Sequence, residues 1–111
     1  ENSAIAFNDA RAIVARTSLD AGSVKDLVFK LKSTPSTLVI LGNVVEGKVT
    51  LSIGISDDLV TTKEWHAGNA VRTLAKHING GGGGQPGFAT AGGKNPDGID
   101  KVLVEWKNEF S

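Results

Sequence analysis

The chain has 111 residues, with 12 Lys and Arg against 12 Asp and Glu, so its formal net charge is zero and no bulk field draws it to nucleic acid or an anionic membrane. The length suits one domain, residues 1–111, around one hydrophobic core. The absence of cysteine excludes disulfides, thiolate metal sites and cysteine nucleophiles. No apolar run approaches the ~18 residues of a membrane span and no secretory leader is visible, so the expectation is a soluble, cytoplasmic domain without a membrane partner. The chain starts at Glu1 and contains no methionine, and it is expected to be a piece of a larger parent.

After a polar start, Ala10 to Leu19 is rich in Ala, Ile and Val and reads as a strand. A helix follows, with Ser23 as N-cap, Asp26 three residues on as in a capping box, and Val24, Leu27, Val28 and Leu31 on one buried face. Ser33, Thr34 and Pro35 stop it. Leu38 to Leu41 is a continuous apolar run that suits a central strand, and Asn43 to Gly47 reads as a turn. Val49, Leu51, Ile53 and Ile55 then alternate with small polar residues, which completes a hairpin.

Asp57 and Asp58 read as a turn and helix-start signal. A second helix is drawn from about Glu64 to Ile78, with Val71, Leu74, Ala75 and Ile78 inward and Arg72 and Lys76 on one outward stripe. Gly80 to Gly84 is an unbroken glycine run, read as an ordered loop because it lies between elements that each need burial. Phe88 to Ala91 is a short apolar piece. Asn95 as cap, Pro96 at the first helical position and Ile99, Val102, Leu103, Trp106 and Phe110 signal a last helix. The expected fold is α/β: a mixed sheet of about four to five strands containing one antiparallel hairpin, with about three helices packed on it.

Catalytic motifs fail on context. Gly42, Gly47 and Lys48 have the spacing of a phosphate-binding P-loop, but Val49 stands where Ser or Thr must reach magnesium, and the lysine enters a strand instead of a helix. Gly82, Gly84 and Gly87 match a dinucleotide fingerprint, yet the run follows a helix and is interrupted by Pro86. His66 and His77, eleven apart, have no acid spaced for a metal, and no Ser/His/Asp set is suggested. No catalytic or metal residue is assigned. What remains is a mildly basic stretch from Thr61 to Pro96, where Lys63, Arg72, Lys76 and Lys94 face only Glu64. Backbone amides of a glycine-rich loop can form an anion-binding concavity beside such cations.

The run from Gly80 to Gly84, then Gln85-Pro86-Gly87-Phe88-Ala89-Thr90-Ala91-Gly92-Gly93, resembles the glycine signature near the C-terminus of bacterial alanine–tRNA ligases, the DHHA1-type or C-Ala domain. The family often has lysine where Gly81 stands, arginine where Gln85 stands and an acid where Gly87 stands, so two loop cations are missing here. The resemblance implies an accessory domain that binds the outer corner of tRNA(Ala) and helps couple aminoacylation and editing, contacting other domains of the parent and leaving a homodimer open. It implies no cofactor in this fragment, while the parent would use ATP, Mg and Zn. The candidate nucleic-acid-binding residues are Arg72, Lys76, His77, Gly80, Gly81, Gly82, Gly83, Gly84, Gln85 and Lys94. Two alternatives stand beside this reading. One is the nucleotide- or single-strand-binding DHHA1 domain of a DHH phosphoesterase, against which Gln85 replaces the histidine common in that branch. The other is a self-association module using Trp65, Trp106 or Phe110.

Overall fold

A computed structural model describes residues 4–7, 10–18 and 20–110. Its strands are β1 (Ala4–Phe7), β2 (Ala10–Thr17), β3 (Thr37–Val45), β4 (Lys48–Ile55), β5 (Gly81–Gly84) and β6 (Phe88–Gly93). Its helices are α1 (Ala21–Lys32), α2 (Asp57–Thr62), α3 (Ala67–Leu74), which runs on into a 3₁₀ turn (Ala75–Ile78), and α4 (Gly98–Phe110). The six strands form one mixed sheet in the order β1-β2-β3-β4-β6-β5. Only β2 and β3 run parallel, joined by α1, and the other pairs are antiparallel. The α/β class and the β3–β4 hairpin agree with the sequence reading, which lacked β1, the glycine strand and α2.

Side-chain alternation divides the molecule into two layers of contacts. Leu38, Ile40, Leu51, Ile53, Ile55, Ala89 and Ala91 point to one face and pack with Leu74, Ile78, Ile99, Val102, Trp106 and Phe110. Val39 and Leu41 point to the other, where Val24 and Val28 of α1 meet them. Two strand glycines seat these helices. A Cβ on Gly42 would lie 2.7 Å from Ile99 Cδ1 of α4, and one on Gly54 would lie 2.4 Å from Val28 Cγ1 of α1. Gly42, half of the P-loop look-alike, is therefore a packing surface. Trp106 and Phe110 are buried in this core, and the partly buried Trp65 meets Phe110 edge-on with centroids 5.2 Å apart.

Several boundaries differ from expectation. The first strand ends at Thr17, and Leu19 lies outside the described residues. The cap of α1 is Asp20, whose carboxylate accepts from the Ser23 amide at 2.9 Å, so Ser23 is the donor within the first turn and Asp26 closes no capping box. β3 continues through Asn43 to Val45, and the turn shrinks to Glu46 and Gly47, both with positive φ. α3 starts at Ala67 because Glu64 takes a left-handed conformation (φ 56°) and His66 caps the helix, its Nδ1 accepting from the Asn69 amide at 3.2 Å. α4 starts at Gly98: Asn95 and Pro96 form the turn before it, and the Asn95 side chain donates to the His77 carbonyl at 3.4 Å.

Candidate nucleic-acid interface

The glycine run is ordered, but as a strand and not a loop. Gly81 to Gly84 pair with Gly92 to Ala89 at the edge of the sheet. The close approach explains the composition. A Cβ on Gly80 would lie 1.9 Å from the Gly92 carbonyl oxygen, and one on Gly82 would lie 2.2 Å from that of Thr90. Contacts this short with backbone leave no room for any side chain. Gly81 is different, since a Cβ there would meet nothing within 4 Å.

The same pairing fixes where the amides go. The Gln85 N–H donates to the Phe88 carbonyl at 2.9 Å, which makes Gln85 and Phe88 a hydrogen-bonded pair. Such pairs alternate along an antiparallel ladder. The amides of Gly83 and Gly81 therefore turn toward β6, whereas those of Gly82 and Gly84 turn away from it. Gly80 follows the outward set, its N–H donating to the Ala75 carbonyl at 3.0 Å. Outward amides are therefore those of Gly82 and Gly84, since the Gly80 amide is taken up by Ala75.

Arg72 comes to this strand. Its Nε lies 3.5 Å from where a Cβ of Gly83 would stand, and its Nη1 donates to Asn69 Oδ1 at 3.3 Å. Lys76 is exposed, but it lies on the 3₁₀ turn, where tighter winding carries it further round than i,i+4 spacing in an α-helix would. His77 is half-buried and serves the fold, its carbonyl receiving Asn95. Gln85 is exposed at the β5–β6 turn. Lys94 is set apart from Arg72 in its surroundings. Its amide donates to the Ile78 carbonyl at 3.0 Å, and its side chain lines a groove of about 370 Å³ together with Lys48, Asn79, Gly92 and Gly93.

Lys48 is the residue that sequence reasoning missed. Its sequence context offers only a failed P-loop, and its place in one groove with Lys94 comes from the pairing of Val49 with Gly93 across forty-odd residues of chain. Among the described residues no group of three or more His, Cys, Asp or Glu could hold a metal. No described helix is long and apolar enough to cross a membrane.

Comparison with known proteins agrees with this architecture. The DHHA1 domain model matches residues 9–111. An alanine–tRNA ligase of Christiangramia forsetii is 49% identical over 98 residues, covering 87% of this chain and 11% of that protein. One of Cytophaga hutchinsonii is 42% identical over 103 residues, covering 92% of this chain and 12% of that protein. The chain thus spans about a tenth of the length of these relatives. The crystal structure of the C-Ala domain from Aquifex aeolicus alanyl-tRNA synthetase superposes with a TM-score of 0.86 over 98% of both chains at 22% identity, which is a likeness of fold. The chain belongs to the DHHA1 domain family, in a form shared with alanine–tRNA ligases.

Proposed function

We propose that this domain is a tRNA-holding accessory of an alanine–tRNA ligase, which grips the outer corner of tRNA(Ala) and keeps one bound molecule available to both aminoacylation and editing. The observation that carries the reading is the meeting of Arg72 with the side-chain-free strand Gly81–Gly84. A guanidinium over Gly83, flanked by the outward amides of Gly82 and Gly84, suits phosphate oxygens. Double-stranded RNA presents mainly phosphates and 2′-hydroxyls, so such a surface needs no base-reading side chains. The alanine–tRNA ligases that match most of the chain favour tRNA(Ala) as the partner. On this reading ATP, Mg and Zn chemistry would fall to other regions of the parent.

The test is binding of a tRNA(Ala) transcript by the chain and by an Arg72→Glu/Lys76→Glu variant across a salt series. Both residues are exposed, so the fold should survive. The expected outcome is weaker binding with a slope of log affinity against log salt that is shallower by about one to two, as for one or two lost phosphate contacts. Unchanged affinity in the folded variant removes these residues from the interface.

A further inference from the structure

The sheet face that carries α1 is only half covered. At one end Val39, Leu41 and Gly54 meet α1. At the other, pairing aligns Thr17 with Asn43, Asn43 with Thr50, Thr50 with Gly92, and Gly92 with Gly81. Directly opposed residues share a face, so a row free of bulky side chains crosses β2, β3, β4, β6 and β5. Its far end is open, because a Cβ on Gly81 or Gly92 would meet nothing within 4 Å.

Two depressions meet on this row at Thr50. One, of about 290 Å³, is lined by Lys25, Asn43, Ser52 and Thr90 among others, and the second is the groove of about 370 Å³ that holds Lys48 and Lys94. Among the described residues, three lysines and no carboxylate line the pair. Glu46, the nearest acid to Lys48 in sequence, is exposed in the hairpin turn and lines neither. The chemistry on offer is therefore cationic at three points, with the Thr50 and Thr90 hydroxyls between them and glycine backbone open to close approach, while Asn43 and Ser52 are buried beneath. It lacks a free stacking platform, since Phe88, the aromatic at its edge, is already engaged by Phe29 with centroids 4.7 Å apart.

We propose that this track is a second RNA contact, a sequence-independent seat for a phosphodiester backbone that runs from the α1 face of the sheet round its edge to Asn79. The choice of RNA as the polymer rests on the function proposed above, and the track shares Gly81 with that surface; the depressions that hold Lys25, Lys48, Thr50 and Lys94 include neither Arg72 nor Lys76. Lysines spaced along a groove neutralise successive phosphates, whereas a free phosphate needs only one of them.

The experiment is an amide-resolved NMR titration of the chain with a tRNA(Ala) transcript and, separately, with inorganic phosphate at matched phosphate concentration, joined to salt-dependent affinities of two double variants. RNA is expected to move the amides of Thr50, Gly92, Gly93 and Lys94. Lys48→Glu/Lys94→Glu is expected to weaken binding about tenfold or more and to lower the salt slope by about 1.4 to 1.8, as for two phosphate contacts. Those shifts should persist with Arg72→Glu/Lys76→Glu. Gly92→Glu, whose Cβ has room, should weaken binding without unfolding the chain. The proposal is overturned if RNA leaves these amides still, if Lys48→Glu/Lys94→Glu binds as tightly with the same slope, or if inorganic phosphate moves the same amides as far. Loss of binding confined to Arg72→Glu/Lys76→Glu would sink the second contact and leave the tRNA reading standing, while a wild-type chain that does not bind the transcript at low salt would sink both.

Discussion

The two neighbouring hairpins of the sheet are built on opposite principles. In β3–β4, Leu38, Ile40, Leu51, Ile53 and Ile55 are fully buried and the pairing is held by what the side chains touch. In β5–β6, every residue of β5 is glycine, and the pairing is so close at Gly80 and Gly82 that a side chain would strike the opposite backbone. The first hairpin is specified by hydrophobic burial, the second by the space left when side chains are absent. A strand of the second kind has few contacts of its own to lose, and α3 lying against it supplies much of what holds it in place.

The comparison can be broken most forcefully in the core that supports both hairpins. Trp106 is 1% exposed and belongs to the cluster shared by β3, β4, β6, α3 and α4. Trp106→Ala should cost about 3–5 kcal/mol, a large share of the ~5–15 kcal/mol typical of a domain. Urea denaturation followed by amide dispersion would show a strongly lowered midpoint, with the chain already partly unfolded in water if its stability lies at the low end of that range. A fall of less than ~1 kcal/mol would mean that the helices are not packed as described.

Glycine against glycine sharpens the contrast. In Gly82→Ala the new methyl would sit 2.2 Å from the Thr90 oxygen and 2.5 Å from the Ala91 Cα, so the strands must part, at about 1–3 kcal/mol. In Gly81→Ala it would meet nothing, and the smaller unfolded ensemble should stabilise the chain by about 0.4–1 kcal/mol. Adjacent residues of one homopolymeric run would thus shift the urea midpoint in opposite directions. Equal shifts would show that the run behaves as a loop.

The same contrast sets what could be read in advance. Val49 to Ile55 announced its strand because alternation is a local signal, and Ile99 to Phe110 announced its helix for the same reason. The glycine strand carries no periodicity, so only its context and its resemblance to a family signature argued for order. Asp20 and Ser23 are both good caps, and the hydrogen bond runs between them, so sequence alone could not say which accepts. The site was legible to the extent that it lies near the glycines: Arg72 does meet Gly83. Lys48 was not, because its neighbour Lys94 is reached through a non-local strand pairing. Cross-sheet rows such as Thr17, Asn43, Thr50 and Gly92 exist only once register is known.

A smaller effect lies where β3 begins, at the opposite end of the sheet-laden hairpin from its turn. Ser36 is held in a left-handed conformation (φ 57°). The Asp58 carboxylate accepts from its amide at 2.9 Å and from its hydroxyl at 3.1 Å. Hydrogen bonding from the Ser56 hydroxyl first, and then from Ser36, holds the Asp58 carboxyl below its ordinary value of 3.8. A carboxylate with a lowered folded value stabilises the fold above the unfolded value, and that contribution is lost as pH falls through the folded one. Asp58→Asn should therefore lower the urea midpoint modestly near about pH 7, and the gap from the unsubstituted chain should close in acid below the free-aspartate range. A gap that stays constant into acid would mean that the clamp on Ser36 works through shape and not through the charge on Asp58.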